Sequence, residues 1–182
     1  MGQQCPQITI EFLKAYKLQF NLYSTKKMQK ILLITPTYNE SENIEKFIDS
    51  TLKFKDLSLL VVDDNSPDGT ASIVERNMQN NSSVKIIKRS GKLGYGSAII
   101  EGYKWGMKNG YDYFIQMDTD FSHRFEDLEG LIQQRHNYDL VIGSRYVPGG
   151  ATEGWTKRRQ YLSKYANKLC GLVLKSKVKD QT

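Results

Sequence analysis

Cysteine is almost missing from this sequence: Cys5 and Cys170 are the only two in 182 residues, and they lie far apart. They form neither the closely spaced set of a disulfide framework nor the paired spacing of a zinc site, so a reducing cytosol is the default compartment. Histidine is equally scarce, with His123 and His136 alone. No Ser/His/Asp or Cys/His arrangement for nucleophilic catalysis can be assembled from them, and His123 is assigned a structural or peripheral role. Long apolar runs are also absent. Stretches such as Ile31–Ile34 and Leu59–Val62 fall far short of the roughly 20 residues a membrane-crossing helix needs. The first 30 residues alternate apolar side chains with Lys and Gln, which is unlike the continuous apolar stretch of a secretory signal.

What remains is an ordinary globular composition, 39% hydrophobic and 25% charged, in a length that predicts one domain with a sizeable core. The net charge of +6 is uneven: residues 1–30 carry +4, residues 151–182 carry +6, and the intervening 120 residues carry −4. A basic stripe across the folded body is therefore not evident, and nucleic acid is not an expected partner. Met28 immediately precedes the first confident strand, so it is read as the native start, with residues 1–27 a loose N-terminal extension and 28–182 the folded domain.

From Lys30 onward, short β-branched or leucine-rich runs alternate with longer segments of helical period, which predicts an α/β fold with a mostly parallel sheet covered by helices. Strands are expected near 30–35, 58–63, 84–88, 112–117 and 139–143, with helices at about 41–53, 68–80, 96–108 and 125–136. A fifth helix is expected at 157–175, where Tyr161, Leu162, Tyr165, Leu169 and Leu172 recur at helical steps. In such folds ligands bind beyond the carboxyl ends of the strands, and those positions are polar and specific here.

Asp118-Thr119-Asp120 closes the fourth strand. If extended backbone persists, both carboxylates face one side and suit a Mg²⁺ or Mn²⁺ ion that takes only one or two protein carboxylates beside phosphate oxygens. The alternative is a pair of acids serving a turn or capping the next helix. Asp63-Asp64 ends the second strand, where one carboxylate can accept hydrogen bonds from a base or ribose. The stretch from Asp64 to Glu75 nearly fits a calcium-loop pattern, but such loops follow a helix and this one follows a strand; it is read as a turn built on Pro67 and Gly69. Gly91-Lys-Leu-Gly-Tyr-Gly96 is a glycine-rich turn before a helix, suited either to cradle phosphate or to allow close packing. Arg89 and Lys92 beside it either neutralise phosphates or are solvated. Arg145, in the turn Gly143-Ser-Arg-Tyr146, presents a fork suited to phosphate oxygens, or else is a surface residue or loop ion pair.

Taken together, Pro36-Thr-Tyr-Asn-Glu40, Val61-Val-Asp-Asp-Asn-Ser-Pro-Asp-Gly-Thr70, Asp118-Thr-Asp-Phe-Ser-His123 and Gly143-Ser-Arg-Tyr-Val-Pro-Gly-Gly150 closely resemble the dolichyl- or polyprenyl-phosphate mannosyltransferases. These are family 2 glycosyltransferases with the GT-A (Rossmann-like) fold, and the resemblance covers about residues 30–182. It implies that Pro36, Tyr38, Glu40, Val62 and Asp64 form the nucleotide end of a GDP-mannose pocket, with Thr119 lining the same strand tip. Asp118 and Asp120 would hold Mg²⁺ or Mn²⁺ on the diphosphate, and Arg145 would contact phosphate of donor or acceptor; these three are the implied catalytic residues. The implied reaction makes polyprenyl-phosphate mannose and GDP with inversion. An acceptor phosphate with a second pKa near ~6 is already mostly dianionic at neutral pH and needs little help from a base. A UDP-sugar transferase of the glucose type, or an inactive sugar-nucleotide-binding module, are the competing readings.

The chain departs from the family at three places. Thr119 stands where Ala is usual, and Tyr95 replaces the usual Leu of the glycine turn. The sequence also stops at Asp180-Gln-Thr182, where the family continues with further basic and catalytic elements, so an incomplete domain that binds nucleotide but turns over poorly is expected. The resemblance further implies a peripheral protein at the cytoplasmic face of a membrane, the plasma membrane in a prokaryote or the endoplasmic reticulum in a eukaryote, and it admits a membrane-anchoring subunit. The basic C-terminal helix either faces that anionic surface or is a solvated helix packed on the core through its apolar stripe.

Overall fold

The structure, a computed structural model, describes residues 11–12 and 29–180 apart from 149, 153 and 177. Its elements are β1 (Glu11–Phe12), β2 (Ile31–Thr37), α1 (Ile44–Thr51), β3 (Leu57–Asp63), α2 (Thr70–Asn80), β4 (Val84–Lys88), α3 (Tyr95–Lys108), β5 (Tyr113–Gln116), α4 (Phe125–Gln133), a 3-10 turn at Gln134–His136, β6 (Val141–Ile142) and α5 (Lys157–Leu174). The chain divides into two compact units, residues 22–125 and residues 1–21 with 126–182.

In the first unit β2 to β5 form a four-stranded, wholly parallel sheet in the order β4-β3-β2-β5, the α/β arrangement expected. Helices cover both faces of such a sheet, so its central strands read as continuous apolar runs instead of alternating. Ile31 to Ile34 and Leu59 to Val62 are accordingly at most 3% exposed. Successive side chains go to opposite faces. Leu32, Ile34, Leu60 and Val62 cluster with Ala98 and Ile99 of α3. In α1, Ile44, Phe47, Ile48 and Thr51 are buried, the i, i+3, i+4, i+7 stripe of a helix laid on a core.

Two glycines set how closely α3 lies on the sheet. A Cβ at Gly102 would stand 2.6 Å from Ile34 Cγ2, and one at Gly106 would stand 2.4 Å from Phe114 Cε1 and 2.8 Å from Leu32 Cδ2. Pro36 is tolerated in a central strand because pairing with β5 ends at Ile34 opposite Gln116, so its missing N–H falls beyond that ladder.

The strand order also locates the site. From β2 the chain moves to β3 and β4 on one side, and then returns to place β5 on the other side of β2. The crevice between the carboxyl ends of β2 and β5 is thus the topological switch point, where ligands bind in open α/β sheets.

In the second unit the fifth expected strand shrinks to Val141–Ile142 and pairs antiparallel with β1, Glu11 opposite Ile142 and Phe12 opposite Val141. It lies outside the parallel sheet. A strand of that sheet must be buried on both faces, whereas Leu140 is 51% exposed and Val141 and Ile142 are only half-buried. Apart from Glu11 and Phe12, the expected N-terminal extension and Met28 lie outside the described residues. Cys170 is a free thiol, and Cys5 too lies outside.

Candidate functional site

At the switch point a cavity of about 350 Å³ is lined by Pro36, Thr37, Tyr38 and Glu40 after β2, Asp64 after β3, Lys92, Gly94 and Tyr95 at the head of α3, and Asp118, Thr119 and Asp120 after β5. The fold therefore brings together seven of the residues singled out in the sequence: Pro36, Tyr38, Glu40, Asp64, Asp118, Thr119 and Asp120. Val62 is not among the lining residues. As an even-numbered position of β3 it points into the α3 core and is fully buried.

The two aspartates that end β3 have separate tasks. Asp63, 1% exposed, accepts hydrogen bonds from Thr37 Oγ1 at 2.9 Å, Ser66 N at 2.9 Å and Ser66 Oγ at 2.6 Å, tying the β2 and β3 loops together. Asp64 accepts from Arg89 Nη1 at 2.7 Å and from the backbone N–H groups of Leu93 and Gly94 at 3.0 Å each. It lines the cavity while holding the glycine turn in place. Gly94 has φ +95°, a conformation L side chains rarely adopt.

Arg89 is neither solvated nor turned to a ligand, contrary to both readings of it from sequence. It is 7% exposed and forms ion pairs with Asp64 at 2.7 Å and Glu101 at 3.2 Å, with a further hydrogen bond to Ser97 Oγ at 2.6 Å. Without it the carboxylate of Asp64, 6% exposed, would be left buried without a counter-charge, which is the physical reason for its position. Lys92 does border the cavity, and its Nζ lies 3.9 Å from the Tyr38 ring centroid, a cation–π contact.

The Asp64–Glu75 stretch is a turn leading into α2. Asp68 accepts from Ser41 N at 2.9 Å, Thr70 N at 3.0 Å and Thr70 Oγ1 at 2.6 Å. Burial acts in the opposite direction, but these hydrogen bonds prevail and hold its carboxyl at about 2. Its oxygens thus tie this turn to Ser41 and to the start of α2.

After β5 the backbone leaves the extended form, and Thr119 and Asp120 lie in a turn. Thr119 is 2% exposed while Asp118 and Asp120 are open to the cavity, so the carboxylates share one opening despite the break in strand geometry. Asp118 Oδ1 accepts from Tyr95 Oη at 2.9 Å, and His123 Nε2 lies 3.8 Å from Asp118 Oδ2. The neighbouring imidazole foremost, and the Tyr95 hydroxyl with it, keep the Asp118 carboxyl below its usual range against the opposing effect of burial. His123 thus has a specific partner, which of its two expected roles, structural or peripheral, favours the structural one. Desolvation first, then the bond to Asp118, push the Tyr95 phenol up to about 12.

Phe121, next along, has φ +59°, a left-handed backbone that is unusual for an aromatic residue. Its ring lies 6.1 Å from both Phe47 and Phe125, which anchors the turn carrying the two aspartates. Thr37 was not singled out in the sequence, where its signal was position at a strand tip alone, whereas Lys92, Gly94 and Tyr95 belong to the glycine-rich turn for which phosphate contact was one of the two readings, and the fold brings that turn to the cavity.

Arg145 belongs to the second unit. Its backbone N and Nε donate to Asp180 Oδ2 at 2.8 Å each, and Nη2 donates to Oδ1 at 2.5 Å. These bonds, more than the opposing burial, raise its already high pKa. This is the loop ion pair offered as the alternative, and it is bidentate, the geometry by which an arginine also takes phosphate. Beside it is a cavity of about 650 Å³ whose lining includes Arg145, Lys164, Lys168 and Lys179. In α5 the buried side chain is Asn167, whereas Tyr161, Leu162, Tyr165, Leu169 and Leu172 are 49–76% exposed. No helix among the described residues is long and apolar enough to cross a membrane.

Known proteins resemble this chain over most of its length. It is 38% identical over 162 residues to the polyprenol monophosphomannose synthase of Mycolicibacterium smegmatis, covering 87% of this chain and 61% of that protein. The undecaprenyl-phosphate mannosyltransferase of Micrococcus luteus is 40% identical over 135 residues, 74% of this chain and 56% of that one. The dolichol-phosphate mannosyltransferase of Pyrococcus furiosus is 37% identical over 155 residues, 83% of this chain and 43% of that one. The chain thus spans about half the length of these relatives. The family model described as glycosyl transferase family 2 matches residues 32–182, which takes in the switch-point cavity and every motif around it, and the chain belongs to that family.

Proposed function

We propose that this chain binds GDP-mannose and, with Mg²⁺ or Mn²⁺, transfers mannose to a polyprenyl (dolichyl) phosphate, giving polyprenyl-phosphate mannose and GDP. The observation that carries the reading is the switch-point cavity, which joins an aromatic and acidic end at Tyr38, Glu40 and Asp64 to a carboxylate pair at Asp118 and Asp120. The names of the three relatives support the sugar and the class of acceptor.

Among the described residues no group of three or more His, Cys, Asp and Glu side chains could hold a metal ion. Asp118 and Asp120 nevertheless fit a cation that arrives with a nucleotide diphosphate, because such an ion takes one or two carboxylates and fills its shell with phosphate oxygens and water. When bound, it stabilises the negative charge of the departing diphosphate. The protein's own part is positional. Lys92, stacked on Tyr38 at the cavity wall, adds a positive charge suited to a diphosphate, and Asp64 fixes the turn that follows it through Leu93 N and Gly94 N. The acceptor phosphate oxygen attacks the anomeric carbon as the bond to GDP breaks, so the configuration inverts.

Arg145 and the basic cavity beside it suit the headgroup of an anionic lipid. The exposed apolar side chains of α5, interleaved with Lys157, Arg158, Lys164 and Lys168, suit a membrane surface. These features support a peripheral protein at the cytoplasmic face of a membrane.

The test is thermal. GDP with Mn²⁺ should raise Tm above that of the ligand-free chain by the equivalent of about 2.7 kcal/mol when the ligand is at a hundred times its Kd, UDP with Mn²⁺ at the same concentration should raise it less, and Asp120→Ala should remove the Mn²⁺-dependent part. A larger shift with UDP moves the reading to a UDP-sugar enzyme, and no shift with either nucleotide overturns it.

A further inference from the structure

Tyr95 stands at the first position of α3, half-exposed at the rim of the switch-point cavity. It occupies a place where the family resemblance leads one to expect leucine, and its hydroxyl is used twice. Gln116 Nε2 donates to Tyr95 Oη at 2.6 Å, and Tyr95 Oη donates to Asp118 Oδ1 at 2.9 Å. Because the phenol oxygen is already accepting from Gln116, its own proton is directed at Asp118. Gln116 is the last residue of β5 and lies two positions before Asp118, so the relay braces the aspartate from the end of the strand that leads into it as well as from the head of α3.

Backbone bonds extend the connection across the cavity. The turn presenting Tyr95 is held through Leu93 N and Gly94 N by Asp64, which Arg89 holds in turn. A leucine at position 95 would fill the same rim yet donate nothing, leaving Asp118 Oδ1 without this partner.

Building on the donor-site reading, we infer that Tyr95 is a positioning residue: with Gln116 it orients the Asp118 carboxylate toward the divalent cation of a metal–nucleotide complex and links that carboxylate to the Asp64-held turn. Hydrogen-bond partners of metal-binding groups typically govern about ten- to a hundredfold in metal affinity. The carboxylate retains a second lone pair on Oδ1, and Oδ2 lies on the His123 side, so the brace and the cation do not compete for the same electrons.

The assignment is tested with the 182-residue chain by measuring Mn²⁺ binding in the presence of GDP, from the loss of the free Mn²⁺ paramagnetic resonance signal, in wild type, Tyr95→Phe and Tyr95→Leu. Metal-free GDP affinity and Tm are measured on the same samples. Tyr95→Phe and Tyr95→Leu should each weaken Mn²⁺ binding about tenfold while metal-free GDP affinity and Tm stay as in wild type, and Gln116→Leu should weaken Mn²⁺ binding to a smaller extent. Unchanged Mn²⁺ affinity in Tyr95→Phe overturns the inference and leaves the donor-site reading standing. An equal loss with and without Mn²⁺ also overturns it, since Tyr95 would then touch the nucleotide itself. If wild type shows no Mn²⁺-dependent GDP binding, the donor-site reading fails and this role fails with it.

Discussion

Replacing Arg89 by methionine would leave Asp64 buried with its two backbone donors but no counter-charge, in a site where the paired arginine is 7% exposed. Breaking a buried pair from one side typically costs about 3–5 kcal/mol; the remaining bonds from Leu93 and Gly94 favour the lower end, about 3 kcal/mol. Urea unfolding of Arg89→Met should show this loss, and replacing Asp64 by asparagine in that background should recover part of it. A change below about 0.5 kcal/mol, within the range of ordinary surface substitutions, would mean the pair is not the support described. Asp68 tests the same logic by pH. Its carboxyl is held at about 2 against an ordinary value of 3.8. A depressed acid contributes stability that is complete above its unfolded value and lost as pH falls through its folded value. The stability gap between wild type and Asp68→Asn should therefore be constant above about pH 5 and shrink between pH 4 and pH 2; a gap that persists unchanged at pH 2 would contradict it. Neither role was legible in the sequence. Asp64 and Asp68 were recognisable as acids at a strand tip, but which nitrogen each one meets depends on where Arg89, Leu93 and Ser41 are brought by the fold.

Among the elements, α3 is the one whose placement most shapes the cavity, because its first turn supplies Tyr95 and its body rests on β2 and β5. Its approach is set by Gly102 and Gly106. Gly106→Ala would bring a methyl group to 2.4 Å from the Phe114 ring and 2.8 Å from Leu32. An overpacked core of this kind typically costs about 1–3 kcal/mol, and differential scanning calorimetry should record the corresponding fall in Tm together with weaker GDP binding. Equal or higher stability would show that the helix can shift freely. The four parallel strands and five helices were readable from hydrophobic period, since a strand buried on both faces and a helix buried on one leave distinct patterns. β6 was misplaced for a physical reason. Val141 and Ile142 look like strand residues anywhere, and the apolar run alone does not say whether partner strands will cover them on both faces. Two glycines within one helix were equally ambiguous until Ile34, Leu32 and Phe114 filled the space where side chains would be.

For the molecule as a whole, charge and apolar surface converge on α5. Tyr161, Tyr165, Leu169 and Leu172 recur along one side of the helix, away from the buried Asn167, and the same helix begins with Lys157, Arg158 and Arg159. Binding to vesicles containing anionic lipid should fall roughly a hundredfold when all three are neutralised, at about 1 kcal/mol per basic residue near the surface. Sedimentation with vesicles checks it, and binding that does not weaken removes the membrane role from this helix. From the sequence by itself came the alternation of strands and helices, the concentration of polar motifs at strand tips, the paired aspartates and the uneven charge, because each of these is a local or periodic property of the chain. Only tertiary structure decided that β5 lies beside β2 and so opens the switch-point cavity, that Val62 faces the core instead of a ligand, that Arg89 and Arg145 are each held by a carboxylate, and that Tyr95 reaches Asp118. Those are contacts between residues as far as 82 positions apart, and no periodicity encodes them; the ones around the sheet exist once burial of its two faces has set the register of the strands and the approach of the helices.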